Sequence, residues 1–230
     1  MNSCIFEDSI GWQKQPAVVA VGRMNPPTRG HYKVIDAMKA FARTNLKGAK
    51  VVVVVIAGSK SDADKARNPL TGEERISFMK SSGHANGVEF LVAPNAFKAF
   101  EAVRAAGYEP MAVAAGSDRV NEYLSLLDKH FKDKDDRPQK HLKVEGLERD
   151  ADSEDGVDGE ALDKIIEMIE DNDFEEEALT RLISGKLARR AVETGKKKAF
   201  AYIVKLEDRP ALASKMFDKI AQAMGVQHVG

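Results

Sequence analysis

One cysteine, Cys4, stands in 230 residues, which excludes an intramolecular disulfide framework and any cysteine-clustered zinc site. Aromatic residues make up only 7% of the chain, leaving no evident platform on which nucleic-acid bases would stack. An excess of one charge is also missing. Thirty-five Lys and Arg against 36 Asp and Glu give a formal net charge of -1, so nothing global attracts a polyanion. A phosphate-bearing ligand would therefore need local positive charge. The longest apolar run, 51–57, is far too short to span a bilayer. The first residues carry Glu7 and Asp8 with no basic start or apolar stretch, unlike a secretory leader, so a cytoplasmic, reducing location is expected. Four common signatures are absent as well: GxxxxGKS/T, a GxGxxG after the first strand, HExxH and GxSxG. ATPase-type, dehydrogenase and common hydrolase sites lose most of their support with them.

What is present is a regular alternation. Short apolar runs at 17–22, 51–57, 88–92 and 111–115 read as buried strands, and 141–145 as a fifth. Between and after them, 30–43, a segment opening at Thr71, 96–106 and a segment that follows Gly116-Ser117-Asp118 and runs to about His130 carry helical spacing. Thr71 with Glu74 three residues later is a capping-box pattern. Helical spacing resumes at 162–169, 174–183, 186–193 and 211–224, the last with Leu212, Met216, Ile220 and Met224 on one stripe suited to core packing or a partner helix. The expected fold is α/β: a Rossmann-like, doubly wound, parallel five-stranded sheet with C-terminal helices. Residues 1–15 read as an arm with Trp12 packed onto the body, 16–200 as the α/β domain, and 201–230 as a C-terminal helical segment. Within the domain, 132–180 is acidic; 148–160 alone hold seven acids in thirteen positions. Asp150, Asp152 and Glu154 invite a calcium reading, but the required glycine comes one place late, at Gly156. An exposed acidic loop is the better account.

In such sheets ligands bind beyond the carboxyl ends of the strands. After the first strand comes GRMNPPTRGH, residues 22–31. Gly22 allows a tight exit, Pro26 and Pro27 stiffen the loop, and Gly30-His31 falls at a helix start, where unpaired amides favour an anion. An imidazole there can donate to a phosphate oxygen, and Arg23 and Arg29 add charge. A lone histidine would more often cap or pack its helix; the ten surrounding residues favour function. The local positive charge lies at 181–200, with seven Lys or Arg and one acid. Of these, Lys196, Lys197 and Lys198 read as a solvated helix face.

The loop resembles the nucleotidyltransferase superfamily of the HxGH/TxGH kind, most of all the GRFQPFHxGH form of archaeal-type nicotinamide mononucleotide adenylyltransferases. Gly22, Arg23, Pro26, Gly30 and His31 match, whereas Asn25, Pro27 and Thr28 depart; threonine at the place of Thr28 is usual in other branches, such as pantetheine-phosphate adenylyltransferases. Asn68-Pro69-Leu70-Thr71-Gly72-Glu73-Glu74-Arg75 is similar to the NPFTxGER segment, and Gly116-Ser117-Asp118 to the family's GSD turn. Ile183 to Arg189 resembles the ISxTxxR signature, with Ser184 and Arg189 matching and Lys186 in place of threonine. The arrangement, acidic segment included, is also similar to nucleotidyltransferase-like proteins of tailed bacteriophages.

The resemblance implies transfer of a nucleotidyl group from ATP or CTP, with Mg²⁺, to a small-molecule phosphate or hydroxyl acceptor. His31 and Thr28 would then act at the α- and β-phosphates with Arg23 beside them, and Gly22 and Gly30 would shape the loop. Ser184, Lys186 and Arg189 would grip the leaving pyrophosphate, and Gly116, Ser117 and Asp118 would line the base and ribose side. No membrane partner is implied, and a homo-oligomer or a virion assembly is compatible with it; a phage-encoded chain would reside in the host cytoplasm or the virion. Two other classes are a non-catalytic nucleotide-binding or structural protein on this fold and, ranked last, a nucleic-acid-binding module using 181–200.

Overall fold

Runs of buried β-branched residues set the sheet. The computed structural model describes residues 14–58, 63–116, 125, 128, 129, 140–144 and 158–227. Its strands are β1 (Gln15–Gly22), β2 (Lys50–Ile56), β3 (Val88–Ala93), β4 (Tyr108–Gly116) and β5 (Lys140–Val144). All neighbours are parallel and the order is β3-β2-β1-β4-β5. Both faces of the inner strands are covered. Val18, Ala20, Val51, Val53 and Val55 pack under Tyr32, Ile35 and Met38 of α1 (Arg29–Asn45) and Met79 of α2 (Gly72–Ser81). The alternate residues Ala17, Val19, Val52 and Val54 meet Ala99, Phe100 and Val103 of α3 (Ala96–Ala105). This double burial is why the strands read as unbroken apolar runs rather than as an alternation. The fold is the expected Rossmann-like α/β arrangement, and its strand order reverses between β1 and β4, the usual place for a ligand crevice.

β4 is longer than its apolar run. It begins at Tyr108 and takes in Pro110, where the pairing with β1 slips: Ala17 faces Pro110, and Val18 already faces Ala112. β5 pairs with β4 only from Ala112 onward. Pro110 thus lies before the β4–β5 ladder and at an irregularity, where a missing N–H is tolerated.

The C-terminal helices are α4 (Gly159–Asp171), α5 (Glu176–Leu182), α6 (Gly185–Glu193), α7 (Lys197–Ile203) and α8 (Pro210–Met224). They enclose a second core of Leu162, Ile166, Leu187, Val192, Phe200, Met216, Phe217 and Ile220, which extends to Leu70 and to Phe78 of α2. The Leu212–Met224 stripe faces this core. α7 is an addition to the expected helices, and the lysines at its start are exposed, as a solvated face requires. Lys197 lies 3.7 Å from Asp218 and 5.3 Å from the centre of the Phe217 ring, and Lys198 donates to the Glu170 carbonyl. No described helix is long and apolar enough to cross a membrane. Cys4, Trp12, the acidic run 148–157 and most of the helix expected between Asp118 and about His130 lie outside the described residues.

Candidate functional site

The loop that leaves β1 is built on an unusual backbone. Met24 occupies the left-handed region at φ 51°, and the Asn25–Pro26 peptide is cis. Two buried side chains hold this shape. The Asn25 amide donates to the Leu70 carbonyl at 2.8 Å and accepts from the Leu70 N–H at 3.2 Å, a two-way bridge to the segment before α2. Arg75, only 1% exposed, donates to the carbonyls of Arg23, of Ile56 at 2.9 Å and of Thr71 at 3.0 Å. The exits of β1 and β2 and the start of α2 are thereby one unit. Two motifs more than forty residues apart in the chain share these bonds.

The start of α2 is fixed in turn by the expected capping box. The Glu74 N–H donates to Thr71 Oγ1 at 3.2 Å, and Glu74 Oε2 accepts from the Thr71 N–H at 2.9 Å. Lys219 of α8 lies 2.8 Å from Glu74 Oε1. Partial burial raises the Glu74 pKa, but the hydrogen bonds from Lys219 and Thr71 and the Lys219 charge outweigh it, leaving the carboxyl below its ordinary value.

At the start of α1, Thr28 is the fully buried N-cap and Gly30 is buried behind it. His31, at the third helical position, folds its imidazole back over the cap. The Thr28 backbone N–H donates to His31 Nδ1 at 2.9 Å, and Thr28 Oγ1 lies 2.9 Å from the same nitrogen. A backbone N–H can only donate, so Nδ1 must be the acceptor, and in the neutral ring the proton sits on Nε2. Histidine here takes the place of the glutamate of an ordinary capping box. The result is a half-buried imidazole whose orientation is set by its own helix cap and whose other nitrogen is a donor.

The start of α6 borders the same loop. Ser184 caps it, its Oγ accepting from the Leu187 N–H at 3.1 Å. Arg189, one turn on, donates from Nη1 to the Asn25 carbonyl at 2.7 Å. A Cβ placed on Gly185 would lie 3.1 Å from that carbonyl oxygen and 3.2 Å from Arg189 Nη1, so glycine is what allows this approach. Lys186, half-exposed, follows on the first turn. Two helix N-termini, each the positive end of a dipole, therefore flank one strained loop.

Of the residues expected in a site, Gly22, Thr28, Gly30, His31, Ser184, Lys186 and Arg189 are gathered about this loop, with Arg23 exposed at its start. Gly116 ends β4, the strand paired to β1 on the other side of the order reversal. Ser117 and Asp118 lie outside the described residues. Arg29, expected to add charge to the loop, points elsewhere: its guanidinium stacks 4.0 Å above the Tyr202 ring and pairs with Glu176 and Glu207. The neighbouring Arg190 also turns away, held bidentate by Asp163 at 2.8 and 2.7 Å, which raises the arginine pKa and lowers that of the acid. Sequence reasoning gave Asn25 and Arg75 no role in the site. Both sat inside the quoted motifs, but the bond between the motifs is tertiary. Among the described residues, no three His, Cys, Asp or Glu side chains are grouped so as to hold a metal ion.

A family model described as cytidylyltransferase-like matches residues 19–191, a span that runs from β1 through α6 and so includes both helix N-termini. No curated protein matches the chain.

Proposed function

The chain belongs to the cytidylyltransferase-like family, and on that premise we propose that it transfers a nucleotidyl group from ATP or CTP to a phosphate or hydroxyl acceptor. The observation that carries this reading is the pair of helix N-termini on one loop, with the His31 ring held through Nδ1 by its own cap so that the neutral ring carries its proton on Nε2. An acceptor oxygen attacks the α-phosphorus, the bond from the α-phosphorus to the bridging oxygen breaks, and pyrophosphate leaves with the bond's electron pair. Charge accumulates on the α-phosphate oxygens and then on the departing pyrophosphate. His31 donates to the first group of oxygens, held in place by the fully buried Thr28, which bonds its Nδ1 and does not reach the phosphate itself, and Arg23 adds positive charge beside it. Ser184, Lys186 and Arg189 hold the second, backed by the first-turn amides of α6. Gly116, which ends β4 beside β1, is assigned to the base and ribose side.

Mg²⁺ supplies Lewis-acid neutralisation of the triphosphate. A donor set of amides, imidazole, hydroxyl and cations suits a metal that arrives on the phosphate oxygens with its waters. No covalent intermediate on the protein is required, since positioning and charge stabilisation carry the reaction. The test is pyrophosphate release with Mg²⁺, offering ATP and CTP each against a panel of acceptors that includes nicotinamide mononucleotide. Release that depends on one acceptor names the substrate. Nucleotide binding without release from any acceptor would replace this reading with that of a non-catalytic nucleotide-binding protein on the same fold.

A further inference from the structure

Arg29 lies between the cap Thr28 and the helix glycine Gly30, yet its side chain leaves the loop and is only 12% exposed. Every nitrogen of its guanidinium is committed. Nε donates to the Tyr202 carbonyl at 3.3 Å, Nη1 to Glu176 at 3.3 Å and Nη2 to Glu207, while the planar group stacks 4.0 Å above the Tyr202 ring. Glu176 is the first residue of α5, the helix that runs directly into the Ser184 cap; Tyr202 lies in α7, and Glu207 just after it. In chain order α5 precedes α6 and α7 follows it, so this one arginine ties the first turn of α1 to both flanks of the helix that carries Ser184, Lys186 and Arg189. Within the loop, Arg189 of α6 bonds the Asn25 carbonyl. Arg29 thus joins the start of α1 to the segments before and after α6, and Arg189 joins α6 to the loop.

We infer that Arg29 is a positioning residue for nucleotide binding: it sets the spacing between the His31 and Ser184 ends of the triphosphate site without touching the ligand. This rests on the nucleotidyl-transfer reading above. Isolated exposed ion pairs contribute little, but a forked guanidinium with two carboxylates, a carbonyl and a ring fixes both distance and angle, which a lysine cannot do.

The test is calorimetric titration of Mg²⁺-ATP and Mg²⁺-CTP into the full chain, with urea midpoints measured alongside. Arg29→Met removes the fork and keeps the aliphatic stem on the ring. The pair Glu176→Gln and Glu207→Gln weakens the clamp from its far end with no change in the loop. Both should weaken nucleotide binding about tenfold, well short of the loss a full ångström of misplacement brings. Combining all three changes should add almost nothing to either, since both act on one contact. Arg29→Lys should fall between wild type and Arg29→Met. Weaker binding in Arg29→Met with wild-type binding in the glutamine pair would overturn the inference, because Arg29 would then touch nucleotide directly. Lower urea midpoints with unchanged affinity would overturn it too, reducing Arg29 to a structural tie. A wild-type chain that bound neither nucleotide would remove the nucleotidyl-transfer reading itself, an outcome distinct from both.

Discussion

Arg75 brings a full charge to a position 1% exposed, where the carbonyls of Arg23, Ile56 and Thr71 stand in for water. Such a group is costly to bury and costly to remove, since its loss strands several buried acceptors at once. Arg75→Met keeps most of the volume and none of the bonds. We expect it to lower stability by about 3 kcal/mol, read as a reduced urea midpoint at an unchanged slope; a wild-type midpoint would deny Arg75 this role. The same bonds hold the left-handed Met24 and the loop that ends at Thr28. A strained backbone of this kind persists only where its surroundings over-determine it. His31 shows the same economy within one turn. Its orientation comes from the Thr28 N–H, which both caps the helix and fixes which ring nitrogen remains a donor.

Elements meet at the α2–α8 contact, where Glu74 completes its own capping box and pairs with Lys219. Its folded pKa lies below the ordinary value, because the Lys219 and Thr71 bonds outweigh the desolvation that raises it. A depressed carboxylate stabilises the fold above its unfolded pKa, and that contribution is lost as pH falls through the folded value. The expected result is a stability that declines on the acid side of the carboxylate range, with a shallower decline in Glu74→Gln; identical acid limbs in the two proteins would contradict the assignment. At this scale much of the fold was legible in the sequence. Strands buried on both faces leave continuous apolar runs, and the Thr71–Glu74 box marks its helix start directly. What was not legible has local causes. Pro110 hides the first part of β4, because a proline reads as a break unless the pairing irregularity beside it is known. α7 has seven residues, too few for a helical period to emerge, although the exposure of Lys196, Lys197 and Lys198 at its start was legible. In the site, TRGH and ISGKLAR were legible as motifs. The divergence of Arg29 onto Tyr202 was not, since its partners lie more than 140 residues away.

Over the whole molecule, a net charge of -1 still leaves Arg23, Lys186 and Arg189 about one loop. The net charge of -1 masks two helix N-termini and a basic α6 set against the loop after β1. Arg29 and Arg190, which the same composition counts as equivalent cations, are neutralised by Glu176, Glu207 and Asp163. The C-terminal helices thus have two places in the fold, a second core around Phe200 and Phe217 and, through Arg189, a contact with the loop after β1. The central claim is that His31 Nε2 donates to charge developing at the α-phosphate. It is tested most directly by the rate of acceptor-dependent pyrophosphate release in wild type and in His31→Ala, side by side, at saturating nucleotide. Loss of one preorganised donor predicts a rate lower by roughly 10²–10³; equal rates in the two proteins would remove His31 from the chemistry and contradict the account.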